Sequence, residues 1–240
     1  MSDRKPEDFE FPSPEVATNP YPFYEAVRAH APVYKVPGQA AYLLTSYDDV
    51  LHAAKCPHQF SSRRPLVGSG DPEIEEIRKR GYPQVGTLTN ADPPSHDQYR
   101  KLVSRLFVPR RVTALEEPIA EIATRLFAEM SSRRDSQGSV DFMAEYAVLI
   151  PLHVLAHTLG VDRSMFPDFK RWSDDVAATL NPFISREDAL RCAESFLEFQ
   201  LYFADQIEKR RVEPGDDFVT MLLSAHYGGE GPLDVPEMLD

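Results

Sequence analysis

Apolar positions recur at helical spacing along most of this chain, with one short interval of strand-like alternation near its start. Tyr21 to His30 reads as a short helix. Val33-Tyr34-Lys35-Val36 and Ala41-Tyr42-Leu43-Leu44-Thr45 read as two strands joined by a turn at Pro37-Gly38-Gln39. Residues 47–54 return to helix behind a Ser46 cap. Further helices are predicted over 72–80, 93–107, 142–159, 166–180, 187–211 and 216–226. Leu115, Ile119, Ile122, Leu126 and Met130 add another apolar stripe, and Val140-Asp141-Phe142 predicts a short strand. Residues 1–19 are polar and proline-rich, an expected poorly ordered or wrapping arm. Residues 57–91 are mostly loop, and that much loop in a compact domain is commonly functional. The pattern is mainly α with a small β component, and no repeat interrupts it.

The formal net charge of −12 argues against nucleic-acid binding, which needs a concentrated basic surface. Against that background Arg100, Lys101, Arg105, Arg110 and Arg111 stand out as a run of cations. No apolar run approaches the ~18 residues that span a bilayer, and the polar N-terminus lacks a signal-peptide core. A soluble, cytoplasmic protein with no membrane span is expected. Cys56 and Cys192 lie too far apart for a metal-type spacing and are expected to be reduced, packed thiols.

The most informative segment is Asp92-Pro93-Pro94-Ser95-His96-Asp97-Gln98-Tyr99-Arg100. Asp92 is a strong N-cap type and Pro93 suits a first helical position, so the segment 92–107 is predicted as a cap followed by a helix over 93–107. At 100° per residue, Tyr99, Leu102, Val103, Leu106 and Phe107 fall on one apolar face. His96 and Arg100 are about 40° apart at its edge, while Lys101 and Arg105 point away. An inward basic pair requires an anion or another partner, because a buried unpaired cation is costly.

Asp-Pro-Pro-Ser-His-x-x-x-Arg-x-Leu-Val followed by Phe-Val-Pro-Arg-Arg-Val resembles the C-helix region of the bacterial cytochrome P450 monooxygenases. The resemblance implies the N-terminal part of that fold over residues 1–240, as a single incomplete domain. Its parts would be an arm at 1–19, a substrate-cavity loop region at 57–91, a haem-propionate helix at 92–107 and lid helices at 164–212. It makes His96 and Arg100 the partners of the haem propionates, which suits a guanidinium able to pair a carboxylate bidentately. It places Val85, Leu88 and Thr89 near the haem, and Leu180 and Phe183, at a Pro-broken helix junction, against the substrate. Lys101 and Arg105 would meet a ferredoxin-like redox partner. The complete protein would carry haem b and take electrons from ferredoxin and NAD(P)H through a reductase. It would insert one oxygen atom from O2 into an apolar small molecule.

Other features are absent. The family's Phe-x-x-Gly-x-x-x-Cys-x-Gly loop, which supplies the axial thiolate, has no counterpart, and neither has its Ala/Gly-Gly-x-x-Thr oxygen-activating helix. No metal ligand or catalytic residue is therefore assigned, and the chain is expected to be a truncated portion inactive alone. The alternative is a non-catalytic helical binding module, degenerate or split from that family, for an apolar ligand or a protein. His153 and His157 sit at i, i+4, but Val154 replaces the glutamate of a zinc-protease motif, so helix packing is the expectation. Glu25/Arg28, Glu75/Arg78 and Glu208/Arg211 show Glu-x-x-Arg spacing in unrelated contexts.

Overall fold

The computed structural model describes residues 4–63, 70–105, 107–133, 138–181, 183–225 and 232–240. Leu106, Pro182, His226 and the stretch 64–69, which fall within the expected elements, lie outside the described residues. The chain divides into two compact units, Met1–Ser62 and Arg63–Asp240.

In the first unit, α1 (Pro14–Thr18) starts at Ser13, whose hydroxyl accepts the Val16 N–H at 3.2 Å. Helix α2 (Tyr21–His30) follows, then β1 (Val33–Lys35) and β2 (Tyr42–Leu44), then α3 (Tyr47–Lys55) behind the Ser46 cap. The strands pair antiparallel with Val33 opposite Leu44 and Lys35 opposite Tyr42. Phe23 is fully buried at the centre, stacked on Phe11 with ring centroids 4.4 Å apart and met edge-on by Phe9 and Tyr34. Residues 4–19 therefore pack into the unit instead of trailing from it. Phe9, Phe11 and Val16 are the apolar residues that hold them.

The second unit is helical. It contains α4 (Pro72–Lys79), α5 (Ser95–Ser104), α6 (Pro109–Ala114) and α7 (Glu116–Ser132), then α8 (Leu149–Thr158) and α9 (Phe166–Ala178). Helix α10 (Arg186–Val212), α11 (Phe218–Ser224) and α12 (Val235–Leu239) complete it. Helix α10 is the longest, capped by Ser185 and carrying Glu187 and Asp188 in its first turn and Lys209, Arg210 and Arg211 in its last. That charge order complements the helix dipole. The main core joins Leu152 and Ala156 of α8, Phe169 and Trp172 of α9, Phe203 and Ile207 of α10, Val219 of α11 and Leu239 of α12. Arg210 reaches from α10 to Asp217, 2.9 Å away, and donates to the Gly160 carbonyl. Burial pushes the Asp217 carboxyl up, but hydrogen bonds from Thr220 and Arg210 outweigh that and hold it below its ordinary range.

Two expected elements differ. Val140-Asp141-Phe142 forms no strand: Asp141 accepts the Ala144 N–H at 2.9 Å and starts a helical turn instead. The helix expected over 142–159 opens as a π-helical segment at Met143–Ala147, where the Val148 N–H bonds the Met143 carbonyl, and becomes α-helical only at Leu149.

Candidate functional site

Helix α5 begins at Ser95, later than the expected 92–107 span, and ends at Ser104. The Asp92 side chain is not its cap. That carboxylate lies 3.8 Å from the Arg63 guanidinium, and only the Asp92 carbonyl joins the helix, accepting the His96 N–H. Tyr99 and Leu102 are buried as expected, with Leu222 and Leu233 as partners and Val103 packed alongside. The Tyr99 hydroxyl donates to Glu237 at 2.7 Å, tying α5 to α12. Phe107 departs from that face and is 71% exposed, because the chain leaves helical register before restarting at Pro109.

The basic pair is not inward. Arg100 is exposed, one residue and thus about 100° beyond the buried Tyr99. The His96 side chain is 37% exposed, with Nδ1 3.1 Å from the Asp97 carboxylate. Lys101 and Arg105 are exposed as expected, and Arg110 and Arg111 on α6 are exposed as well. Among the described residues, none of Arg100, Lys101, Arg105, Arg110 and Arg111 has a carboxylate within ion-pair distance. Beside them Phe107, Val108 and Val112 present apolar surface to solvent. Cationic donors next to exposed apolar side chains suit an amphipathic anion.

A cavity of about 530 Å³ lies between α4, α9 and α10. Ile74, Val176, Ile184, Ala193, Phe196 and Leu197 supply much of its apolar wall, and Cys192 joins them. None of the five residues expected to line a substrate cavity touches it. Val85, Thr89 and Leu180 are exposed, Phe183 is at the surface, and Leu88 packs against the Tyr99 cluster. Their near neighbours Gln84, Thr179 and Ile184 line the cavity instead.

Sequence reasoning missed what holds this cavity's wall. Arg186 bonds Asp71 at 2.6 Å and Glu73 at 2.9 Å, joining the first turn of α10 to that of α4. Arg80 pairs with Glu194 at 2.8 Å from the other end of α4. Beyond that pair Gln200 brackets Tyr82, accepting its N–H and donating to its carbonyl, both at 3.1 Å. The Arg186 guanidinium holds the Asp71 carboxyl below the ordinary range. Between α9 and α10, Arg191 pairs with the buried Asp175, and Arg171 reaches Glu198 at 2.5 Å.

Neither cysteine is placed as an iron ligand. Cys192 is buried within α10, and burial pushes its thiol pKa up, against thiolate formation. Cys56 sits 3.7 Å from His52 Nδ1 at the end of α3. The His153 ring stacks on Phe166 at 3.5 Å, and its Nε2 is 3.4 Å from Arg125, as helix packing requires. Burial, then Arg125, holds His153 below the ordinary imidazole value. No cluster of three metal-ligating side chains occurs among the described residues, and no described helix is long and apolar enough to cross a membrane.

No family-wide sequence profile matches the chain. It is 33% identical over 230 residues to cytochrome P450 130 of Mycobacterium tuberculosis, covering 93% of this chain and 54% of that protein. It is 31% identical to 6-deoxyerythronolide B hydroxylase of Saccharopolyspora erythraea, covering 91% and 53% respectively. Among solved structures, CYP109Q5 from Chondromyces apiculatus superposes with a TM-score of 0.71 at 31% identity, over 95% of this chain and 53% of the other. CYP109E1 from Bacillus megaterium, in complex with testosterone, gives 0.73 at 30% identity, over 95% and 55%. The chain spans about half the length of the curated relatives it matches. In sequence and in fold the chain belongs with the cytochrome P450s, of whose fold it carries a part.

Proposed function

We propose that this chain supplies the haem-propionate helix and part of the substrate wall of a P450-type monooxygenase acting on an apolar small molecule. The single observation carrying this reading is Arg100, exposed one turn after His96 with no anionic partner among the described residues. The fit to haem is one-sided. Arg100 and His96 suit its carboxylates, since charge-assisted bonds from a guanidinium fork are the strong ones. Neither thiol suits its iron. Haem, when bound in such an enzyme, supplies the oxygen activation. This chain's residues hold and orient its carboxylates through Arg100 and His96. The apolar surface of Phe107, Val108 and Val112 lies next in sequence to that helix.

Lys101 and Arg105 are the proposed contacts of a ferredoxin-like donor, itself reduced from NAD(P)H through a reductase. Their exposure and lack of carboxylate partners among the described residues support this. The 530 Å³ apolar cavity also supports the second reading, a non-catalytic module for an apolar ligand.

Titration with ferric haem and with its dimethyl ester separates the two. The propionate reading expects haem to bind more tightly than the ester, with a reduced, CO-treated spectrum lacking the red-shifted Soret band of a thiolate-ligated haem. Equal affinity for haem and ester, or no binding of either together with binding of an uncharged apolar probe, favours the module.

A further inference from the structure

We infer that α12 positions the cations of α5 through the hydrogen bond from the Tyr99 hydroxyl to Glu237, which makes Tyr99 and Glu237 positioning residues for the anion site on that helix. The inference rests on the propionate reading of α5. Helix α5 has little to orient it on its own: it is ten residues long, and no described side chain caps its start. Isolated helices shorter than about 12–15 residues are marginal in water, so packing must fix it. Its two buried residues, Tyr99 and Leu102, sit against Leu222 of α11 and Leu233. Of those two only Tyr99 carries a polar atom, and its hydroxyl reaches Glu237 at 2.7 Å. A hydroxyl donating to a carboxylate is among the shorter and stronger hydrogen bonds.

Glu237 is itself held in place. It is the third residue of α12 and closes a capping box: its carboxylate accepts the Asp234 N–H, and its own N–H donates to Asp234, both at 2.9 Å. Oε2 is engaged in that box, while Oε1 accepts from Tyr99. Met238 packs against both the main core and the Tyr99 cluster, and Leu239 is buried in the main core, so α12 carries the position of the core to α5. Asp240 adds a second hold by accepting the N–H of the buried Thr87 at 3.0 Å, on the segment leading into α5. At 100° per residue, His96 lies about 60° and Arg100 about 100° around the helix from Tyr99, on the same side. Turning α5 about its axis therefore moves both together. A binding constellation tolerates errors of only about 0.5 Å and 10–20°. Tyr99, fixed by Glu237, thus sets where His96 and Arg100 point.

The test titrates the full 240-residue chain and its Tyr99→Phe and Glu237→Gln variants with ferric haem and with haem dimethyl ester. Tyr99→Phe keeps the buried ring and removes the hydroxyl. Glu237→Gln keeps an acceptor for the Asp234 N–H and removes the charge. Each should lower the preference for haem over the ester several-fold, less than the about tenfold loss expected on removing the Arg100 guanidinium itself. The double variant should lose no more than the larger single effect. Ester affinity should hold at the wild-type value throughout, which a merely loosened fold would not allow. Leu222→Val, which weakens the same apolar cluster without touching the hydrogen bond, should leave the preference intact. Amide exchange supplies an independent arm: residues 99–104 should lose protection in both variants while α7 keeps its own. If Tyr99→Phe fails to fold, Glu237→Gln and Asp240→Asn carry the same readouts. A preference kept by the folded variants, or ester affinity falling in parallel with haem affinity, would overturn the positioning role alone. A wild type indifferent to esterification would refute the propionate reading, and the positioning role with it.

Discussion

Two basic regions of the second unit use the same side chains in opposite ways. Around α4, α9 and α10, Arg80, Arg171, Arg186, Arg191 and Arg210 each meet a carboxylate from a distant turn or a neighbouring helix. Along α5 and α6, Arg100, Lys101, Arg105, Arg110 and Arg111 meet none among the described residues. In a chain with 38 acidic and only 26 basic residues, carboxylates are not scarce, so unpaired cations concentrated in one stretch are a local property of that stretch. One region uses charge to fasten helices. The other keeps charge available at its surface for an anion from outside.

Stability measurements should break the symmetry between these regions most visibly. Ile207→Ala, on the core face of α10, should cost about 2–5 kcal/mol, whereas Phe107→Ala, 71% exposed beside α5, should stay within about 0.5 kcal/mol. Denaturant melts of the two variants check this, and similar losses would mean Phe107 is packed.

A subtler contrast concerns the outer cations. Lys101→Glu with Arg105→Glu should leave the melt unchanged. In the chain assembled with the rest of a P450 fold, it should slow reduction by ferredoxin several-fold and flatten its dependence on ionic strength. An unchanged rate would remove the docking role.

The smallest expected effect is a pH response. His153 titrates below the ordinary 6.5, so the folded state binds its proton less well than the unfolded state. The stability this contributes is complete above 6.5 and is lost as pH falls through the depressed value. His153→Phe retains an aromatic face for Phe166 and cannot titrate. Its thermal midpoint should therefore fall less than the wild type's between pH 7 and 5.5, and parallel falls would assign the response elsewhere.

The same contrast shows what was legible in sequence. Helix α10 was readable almost to its ends because Ser185, the acidic first turn and the basic last turn are local signals. The cations of α5 and α6 were readable as a run. The start of α5 was not, because Asp92 has the right chemistry for a cap yet spends its carboxylate on Arg63. The π-helical opening before α8 depends on a hydrogen-bond shift that leaves no mark in apolar periodicity. The Arg186 ion pairs join residues more than a hundred positions apart, and pairs of that kind have no sequence pattern. Leu180 and Phe183 mark a helix junction that was legible from Pro182, while the cavity between α4, α9 and α10 is lined by their neighbours Thr179 and Ile184.

Comparative titration of wild type and Arg100→Ala with ferric haem and haem dimethyl ester tests the central claim most directly. The account predicts that wild type prefers haem over the ester. It also predicts that Arg100→Ala loses about tenfold in haem affinity, the scale of one hydrogen bond to a charged group, with its melt unchanged. A variant that binds haem as tightly as wild type, or a wild type indifferent to esterification, would contradict it.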